Sequence, residues 1–373
     1  MKKLLFLAVL LWLIVVVSCS EKEAEIEVSS DDKLVFETLY KLAVKAESLW
    51  PGFDYVRSKP SYLILRNSDG DKPRGYLLNP VHPLPAGSIP LSMDKSGGLI
   101  VYRNDNYFSA AYDALGEDGL FDFGANFSID GVPYFLLRSK PLVEYTFYDV
   151  FKSNNGGWVP LVVVHELFHT FQIAEWTYPT AGGQDFYGYP LTVDVMTYQL
   201  ALFALMKEAH TVTGDVQARE YLAKYIVLFE KMIEVDPTSV LLVRNMGIFQ
   251  QFLEGPARYV EHFGAAGSIY PDIQSDPTHG FDDYIDAITT PEPIRHVFAV
   301  RTWHHAGAGA IHLLKEAGVP VHDLMKQGKT PWDLALELVP MTNAEKVLIH
   351  DQLTSALGWN AYVVQATYLY SLL

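Results

Sequence analysis

The chain has 373 residues, 49% of them apolar and 13% aromatic, enough to bury the core of one large domain or two modest ones. Its formal charge is −16. That balance excludes an electrostatic nucleic-acid binder, because phosphate contacts need clustered Lys and Arg; solubility is the ordinary reason for such acidity.

Lys2 and Lys3 open the chain, and Leu4 to Val17 follows as an unbroken apolar run of 14 residues. A positive start before a short apolar run is the layout of an export signal, and the run is shorter than the roughly 20 residues a membrane span needs. It ends at Val16-Val17-Ser18-Cys19, which resembles a bacterial lipobox with cleavage before Cys19. Residues 1–19 are therefore expected to be a lipoprotein signal peptide. Lipid on Cys19 would hold the chain on a membrane of the bacterial cell envelope. Cys19 is the single cysteine, so once it is acylated no thiol remains for a disulfide. Residues 20–32 (SEKEAEIEVSSDD) are polar and acidic and are expected to be a tether.

Leu34 to Trp50 carries apolar residues at helical spacing and stops at Pro51-Gly52. Short β-rich runs follow at Tyr62–Leu65, Tyr76–Leu78, Leu99–Tyr102 and Tyr134–Leu137, punctuated by Pro, Gly, Asn and Asp. The Leu99–Tyr102 run is a candidate edge strand for aligning an extended peptide. The acidic loops SDGDKPRG and GEDGLFDFG invite calcium. However, Pro80 stands where an EF-hand-like loop beginning at Asp69 wants its glutamate, so both are read as turns. From Pro160 onward the pattern is helical: Pro160–Trp176, Leu191–His210, Val216–Val235, Val243–Gly264, Arg301–Ala317, Pro331–Leu338 and Asn343–Leu357. The expected fold class is α+β. A lobe at 33–180 holds a mixed sheet and the helix beginning at Pro160. A mainly helical lobe spans 181–373, with no clear linker between them.

The stretch WVPLVVVHELFHTFQIAEW carries the chemistry. His165 and His169 are four residues apart, on one helix face one turn apart, where two imidazoles can share a tetrahedral zinc. Glu166 is rotated by about 100° and falls beside the metal, positioned to take a proton from a water held there. Apolar neighbours on every side predict burial, and burying two histidines and a glutamate without partners is costly.

Catalytic zinc needs a third protein ligand. Glu175, Asp185 and Asp194 are near in sequence, but Glu175 lies about 600° round the helix from His169, on another face. The segment FQQFLEGPARYVEHFG offers Glu254, followed by Gly255, which permits close approach, and Glu261 seven residues later on the same face. Surrounding aromatic and aliphatic residues predict that this segment is buried, and Glu254 is the favoured ligand.

These residues resemble the gluzincins, zinc peptidases with a His-His-Glu site, and most closely the aminopeptidase N-like family. That family pairs H-E-x-x-H with a later N-E-G-x-A-x-Y-x-E. Here Glu254, Gly255, Ala257, Tyr259 and Glu261 match that second segment. The resemblance implies that Glu254 is the third ligand of one zinc ion and that Glu261 is a carboxylate supporting the ligands. The family's Y-x-x-G segment, whose tyrosine stabilises the transition state, is similar to RTWHHAGAGAIHLLKEAG, with Gly307 and Ala308 on the pattern and His304 in place of the tyrosine. A histidine there could donate to a developing oxyanion, as in thermolysin-like members of the clan. The interval from His169 to Glu254 is longer than in that family and holds two extra helices. No G-x-M-E-N segment, which grips a substrate's α-amine there, is present.

The expected function is a zinc-dependent peptidase of the envelope acting on peptide or protein substrates, with Glu166 and His304 as catalytic residues. The alternative is an inactive zinc-binding lipoprotein that serves as a protein or glycan binding module.

Overall fold

The computed structural model describes residues 29–65, 72–91, 99–116, 119–138, 159–179, 185–261, 285, 288–356 and 358–373. The expected signal segment with Cys19 and residues 20–28 of the expected tether lie outside the described residues, as does the first half of the SDGDKPRG loop. Among the described residues no helix is long and apolar enough to cross a membrane. The chain is mixed α/β and mostly helical, with a mixed sheet in its N-terminal region.

The chain divides into two compact units. The first comprises residues up to Lys33 together with Arg57–Pro141. It holds β1 (Ser61–Leu65), β2 (Arg74–Leu78), β3 (Ile89–Pro90), β4 (Val101–Arg103), β5 (Phe121–Asp122), β6 (Ser128–Ile129), β7 (Val132–Pro133) and β8 (Phe135–Arg138). Six strands form one sheet in the order β3-β4-β2-β1-β8-β5, parallel only between β1 and β8. The strand read as an edge is β4, and β3 covers its outer side, so the Leu99–Tyr102 run is not an edge strand. The first strand is buried along its whole length, as expected of a central strand covered on both faces. Tyr62, Ile64, Leu77, Ala111, Phe127, Ile129, Tyr134 and Leu136 form the unit's core.

Helix α1 (Ser30–Leu49) begins earlier than the apolar pattern suggests. Ser29 Oγ accepts from the Asp32 N–H at 3.2 Å, and Asp31 and Asp32 occupy a first turn that favours negative charge. Asp32 is buried and accepts two bonds from Arg74, at 2.6 and 2.9 Å, and one from the Tyr76 hydroxyl. Residues 30–32 are therefore helix rather than tether. Their acidity serves the first turn of the helix and an ion pair.

The second unit comprises Leu34–Val56 and Leu142–Leu373. After the short α2 (Tyr55–Ser58), and α3 (Phe108–Leu115) in the first unit, come α4 (Val159–Glu175), α5 (Val193–Ala209), α6 (Asp215–Glu234) and α7 (Leu242–Arg258). Then follow α8 (Pro291–His296), a wide π-helical turn (Val297–Arg301) and α9 (Thr302–Glu316). The chain closes with α10 (Val321–Lys326), α11 (Pro331–Leu338), α12 (Asn343–Ser355) and α13 (Trp359–Ser371). The H-E-x-x-H helix α4 thus shares a unit with the later helices, not with the sheet, which corrects the lobe boundary drawn at residue 180. Aromatic contacts explain the grouping. Phe168 of α4 packs edge-on against Trp50 at 5.3 Å and Phe53 at 4.9 Å, and Trp176 meets Phe252 of α7 at 5.4 Å.

Two glycines set the crossing of α7 and α9. A Cβ on Gly255 would lie 2.8 Å from the Gly307 Cα, so the two backbones touch where any side chain would separate them. Gly255 had been singled out for close approach, and what approaches it is the α9 backbone. The crossing brings Glu254 on α7 beside His304 on α9.

Candidate metal centre

Helix α4 is buried on nearly every side, so its polar residues need partners within the protein. His165 and His169 are both buried, with ring centroids 4.8 Å apart. Their Nε2 atoms stand 3.1 Å apart, and each lies 3.2 Å from Glu254 Oε2. The three residues form a group that could hold a metal ion. Tetrahedral bonds of about 2.0–2.1 Å give ligand–ligand edges of about 3.3 Å, close to this triangle.

The tautomers make the case on chemical grounds. His165 Nδ1 lies 2.8 Å from Glu261 Oε2, and Glu261 Oε1 accepts from Arg258 Nη1 at 3.1 Å. A carboxylate paired with arginine can only accept, so His165 Nδ1 donates, and its Nε2 is the atom left to offer a lone pair once the ring is neutral. His169 Nδ1 lies 2.7 Å from Gln172 Oε1. The Gln172 Nε2 donates to the Leu253 carbonyl at 2.9 Å, which turns the amide oxygen toward His169. His169 therefore also donates from Nδ1 and faces the triangle with a lone pair. Two imidazole lone pairs and a carboxylate oxygen converge. One proton could bridge only two of these atoms, whereas a cation among them satisfies all three.

Without an ion, the same carboxylates attract protons to the two imidazoles, and an incoming cation must displace them. Burial disfavours a proton on His165, but hydrogen bonds to Glu254 and Glu261 outweigh it and raise its pKa to about 10. His169 is raised too, with burial opposed by the charge of Glu254. Burial pushes the Glu254 carboxyl up, but His169, His304 and His165 pull it well below its ordinary value. The site is built around an ionised Glu254 that attracts positive charge.

Glu166 differs from its neighbours. It is partly exposed, and its carboxylate has no hydrogen-bond partner among the described residues. Burial raises its pKa foremost, His165 and His169 lower it, and Glu254 and Glu261 raise it again. That combination suits a proton acceptor in contact with water.

His304 lies with Nδ1 3.7 Å from Glu254 Oε2 and is buried, with no hydrogen-bond partner for either ring nitrogen among the described residues. Burial drives its pKa well below the ordinary value, against the pull of Glu254, so it is a neutral imidazole able to donate one N–H. His305, the next residue, packs edge-on against Phe203 at 5.4 Å.

The other acids considered do not join the group. Glu175 pairs with Lys326 at 3.5 Å, Asp185 accepts from the Gly188 N–H at 2.8 Å, and Asp194 sits in the first turn of α5. Gln172 and Arg258 escaped the sequence reading. A glutamine three residues past His169, on the same face of a buried helix, was the available signal for Gln172. An arginine one turn before a buried glutamate was the signal for Arg258. No protein-family model, no curated protein and no solved structure matches the chain.

Proposed function

We propose that the protein is a zinc-dependent peptidase. The observation that carries this reading is the triangle of His165 Nε2, His169 Nε2 and Glu254 Oε2, with edges of 3.1–3.2 Å and both histidine Nδ1 atoms already engaged elsewhere. His165, His169 and Glu254 would hold one zinc ion. When bound, zinc supplies Lewis acidity toward a scissile carbonyl and acidifies water.

The chain's own groups supply the remaining steps. Glu166, partly exposed and free of competing bonds among the described residues, takes the proton of the attacking water and delivers it to the leaving amine. His304, neutral and buried, donates an N–H to the oxygen that becomes negative as the carbonyl carbon turns tetrahedral. Glu261, held by Arg258, and Gln172 fix the ligand imidazoles. The gluzincin-like order of these segments supports peptide or protein substrates. The apolar segment ending at Cys19 supports a lipid-anchored place in the bacterial cell envelope.

The test is zinc content together with hydrolysis of an unfolded protein such as casein. The wild-type chain should hold one zinc per molecule and cleave. Glu166→Gln should keep the zinc and lose at least about 100-fold in kcat. Full cleavage by Glu166→Gln, or a wild-type chain that takes up no zinc, would remove the assignment.

A further inference from the structure

Gln172 is wholly buried, and both ends of its amide are engaged. Its Oε1 lies 2.7 Å from His169 Nδ1. Its Nε2 donates to the Leu253 carbonyl at 2.9 Å and reaches the Phe252 carbonyl at 3.5 Å. Those two carbonyls belong to α7 and immediately precede Glu254.

The α7 sequence explains why a donor is needed at that point. Pro256 sits inside the helix and has no N–H to return to the Phe252 carbonyl four residues earlier. A helix interrupted directly after a ligand would leave that ligand loosely placed. The Gln172 amide comes in beside this break, 3.5 Å from the freed Phe252 carbonyl and with its shorter bond, 2.9 Å, to the adjoining Leu253 carbonyl.

The two contacts restrict which residue can serve. The His169 side needs an acceptor for an N–H, and the α7 side needs a donor for a carbonyl. Glutamate supplies only the first, leucine neither, and asparagine is one methylene shorter.

We infer that Gln172 is a positioning residue whose single amide holds His169 in the tautomer that presents Nε2 to the metal and ties α7, with Glu254, to α4. Resting on the zinc reading above, it identifies what joins two ligands that are 85 residues apart in the chain.

The test uses the full chain with Gln172→Leu and Gln172→Glu. Zinc affinity is measured by competition with a chromophoric chelator, ligand geometry by the visible spectrum of the cobalt(II) form, and the fold by melting of the chelated protein. Gln172→Leu removes both bonds and should weaken zinc binding on the order of 10–100-fold, with an altered cobalt spectrum. Gln172→Glu keeps the acceptor for His169 and loses the donor to Leu253, so its zinc affinity should fall between wild type and Gln172→Leu. Wild-type zinc affinity and cobalt spectrum in Gln172→Glu overturn the inference even if its melting temperature drops, because a glutamine that only fills the core would move the melting temperature alone. The Gln172→Glu result decides if Gln172→Leu does not fold. A wild-type chain that binds no zinc is a separate outcome that removes the zinc reading and this inference with it.

Discussion

Gly307→Ala tests whether the α7–α9 crossing sets the site. A Cβ at Gly307 would lie 2.7 Å from the Gln251 carbonyl oxygen, 2.8 Å from the Gly255 Cα and 3.0 Å from the Gln251 Cα. All three atoms are backbone, so no side chain can turn aside and the helices must part by several tenths of an ångström. Glycine to alanine inside a helix otherwise gains about 1 kcal/mol. Overpacking of this kind costs about 1–3 kcal/mol, and a backbone-on-backbone clash belongs at the upper end. The net loss is then about 1–2 kcal/mol, or a fall in melting temperature of about 2–8 °C. Separation moves Glu254 and His304 relative to α4, so zinc affinity should fall at least about tenfold. Gly309→Ala is the control on the same helix. Its nearest obstruction is the Met206 Sδ at 2.5 Å, a flexible side chain that can repack, so stability and zinc affinity should stay close to wild type. Melting of the chelated proteins and chelator competition for zinc read both effects. A Gly307→Ala protein with wild-type melting and zinc affinity, or a Gly309→Ala protein damaged equally, would refute the reasoning.

Replacing His304 by alanine should lower kcat by about 100–1000-fold while zinc affinity and the cobalt spectrum stay as in wild type, since in the proposed mechanism the imidazole would act on substrate oxygen and not on the metal. Zinc affinity should rise with pH from about 6 toward about 10, about tenfold per pH unit for each proton displaced, because His165 has its metal-free pKa raised to about 10 and must shed that proton; calorimetry in buffers of different ionisation enthalpy counts the protons. In the chelated protein the sign reverses: a histidine pKa raised above its ordinary 6.5 contributes stability that is complete below 6.5 and disappears as pH passes about 10, so urea midpoints should fall across that window and fall less with zinc bound. Asp32→Asn removes the charge that holds Arg74 and the Tyr76 hydroxyl in the first unit and should lower stability by about 1–3 kcal/mol, read as a urea midpoint shift, with zinc affinity unchanged.

The parts of the site that the sequence reveals are those governed by short-range periodicity. Two histidines four apart on an apolar helix must share a face, and Glu254 with Glu261 must share another, whatever surrounds them. The joining of those faces across 85 residues rested on the need for a third ligand and the apolar surroundings of Glu254, with a resemblance beside them, because spacing along a chain says nothing about which helices cross. Gly307 is what the crossing needs, and its role is visible only once Gly255 is seen against it. Eight of the described helices and four of the eight described strands were legible from period and punctuation. Helix α13, which ends with exposed Tyr368 and Tyr370 on either side of the buried Leu369, was missed because its apolar residues are not confined to one face. Helix α10 is six residues long, too short for a period to register. The lobe boundary was misplaced because α4 follows the sheet in sequence, while the aromatic contacts of Phe168 and Trp176 hold it among the helices.

Whether such a centre is catalytic or structural turns on what surrounds its three ligand atoms. A structural zinc usually takes four protein ligands, and its neighbours serve only to enclose it. Here the group that could hold an ion contains three residues among those described, and His304, the nearest further imidazole, stands 3.7 Å from the carboxylate oxygen rather than within the triangle. Beside it sits Glu166, which a structural site has no reason to keep. Its carboxyl is pushed up by burial, the residue is partly exposed, and the carboxylate bonds to nothing among the described residues. An unpaired carboxylate on a buried helix costs stability, and an alanine or glutamine at that position would remove the cost. A purely enclosing role for the ion leaves both the uncompensated Glu166 and the unbonded ring nitrogens of His304 without a purpose. On the proposed reading, attack by water on a polarised carbonyl would employ each of them, one as base and the other as oxyanion donor.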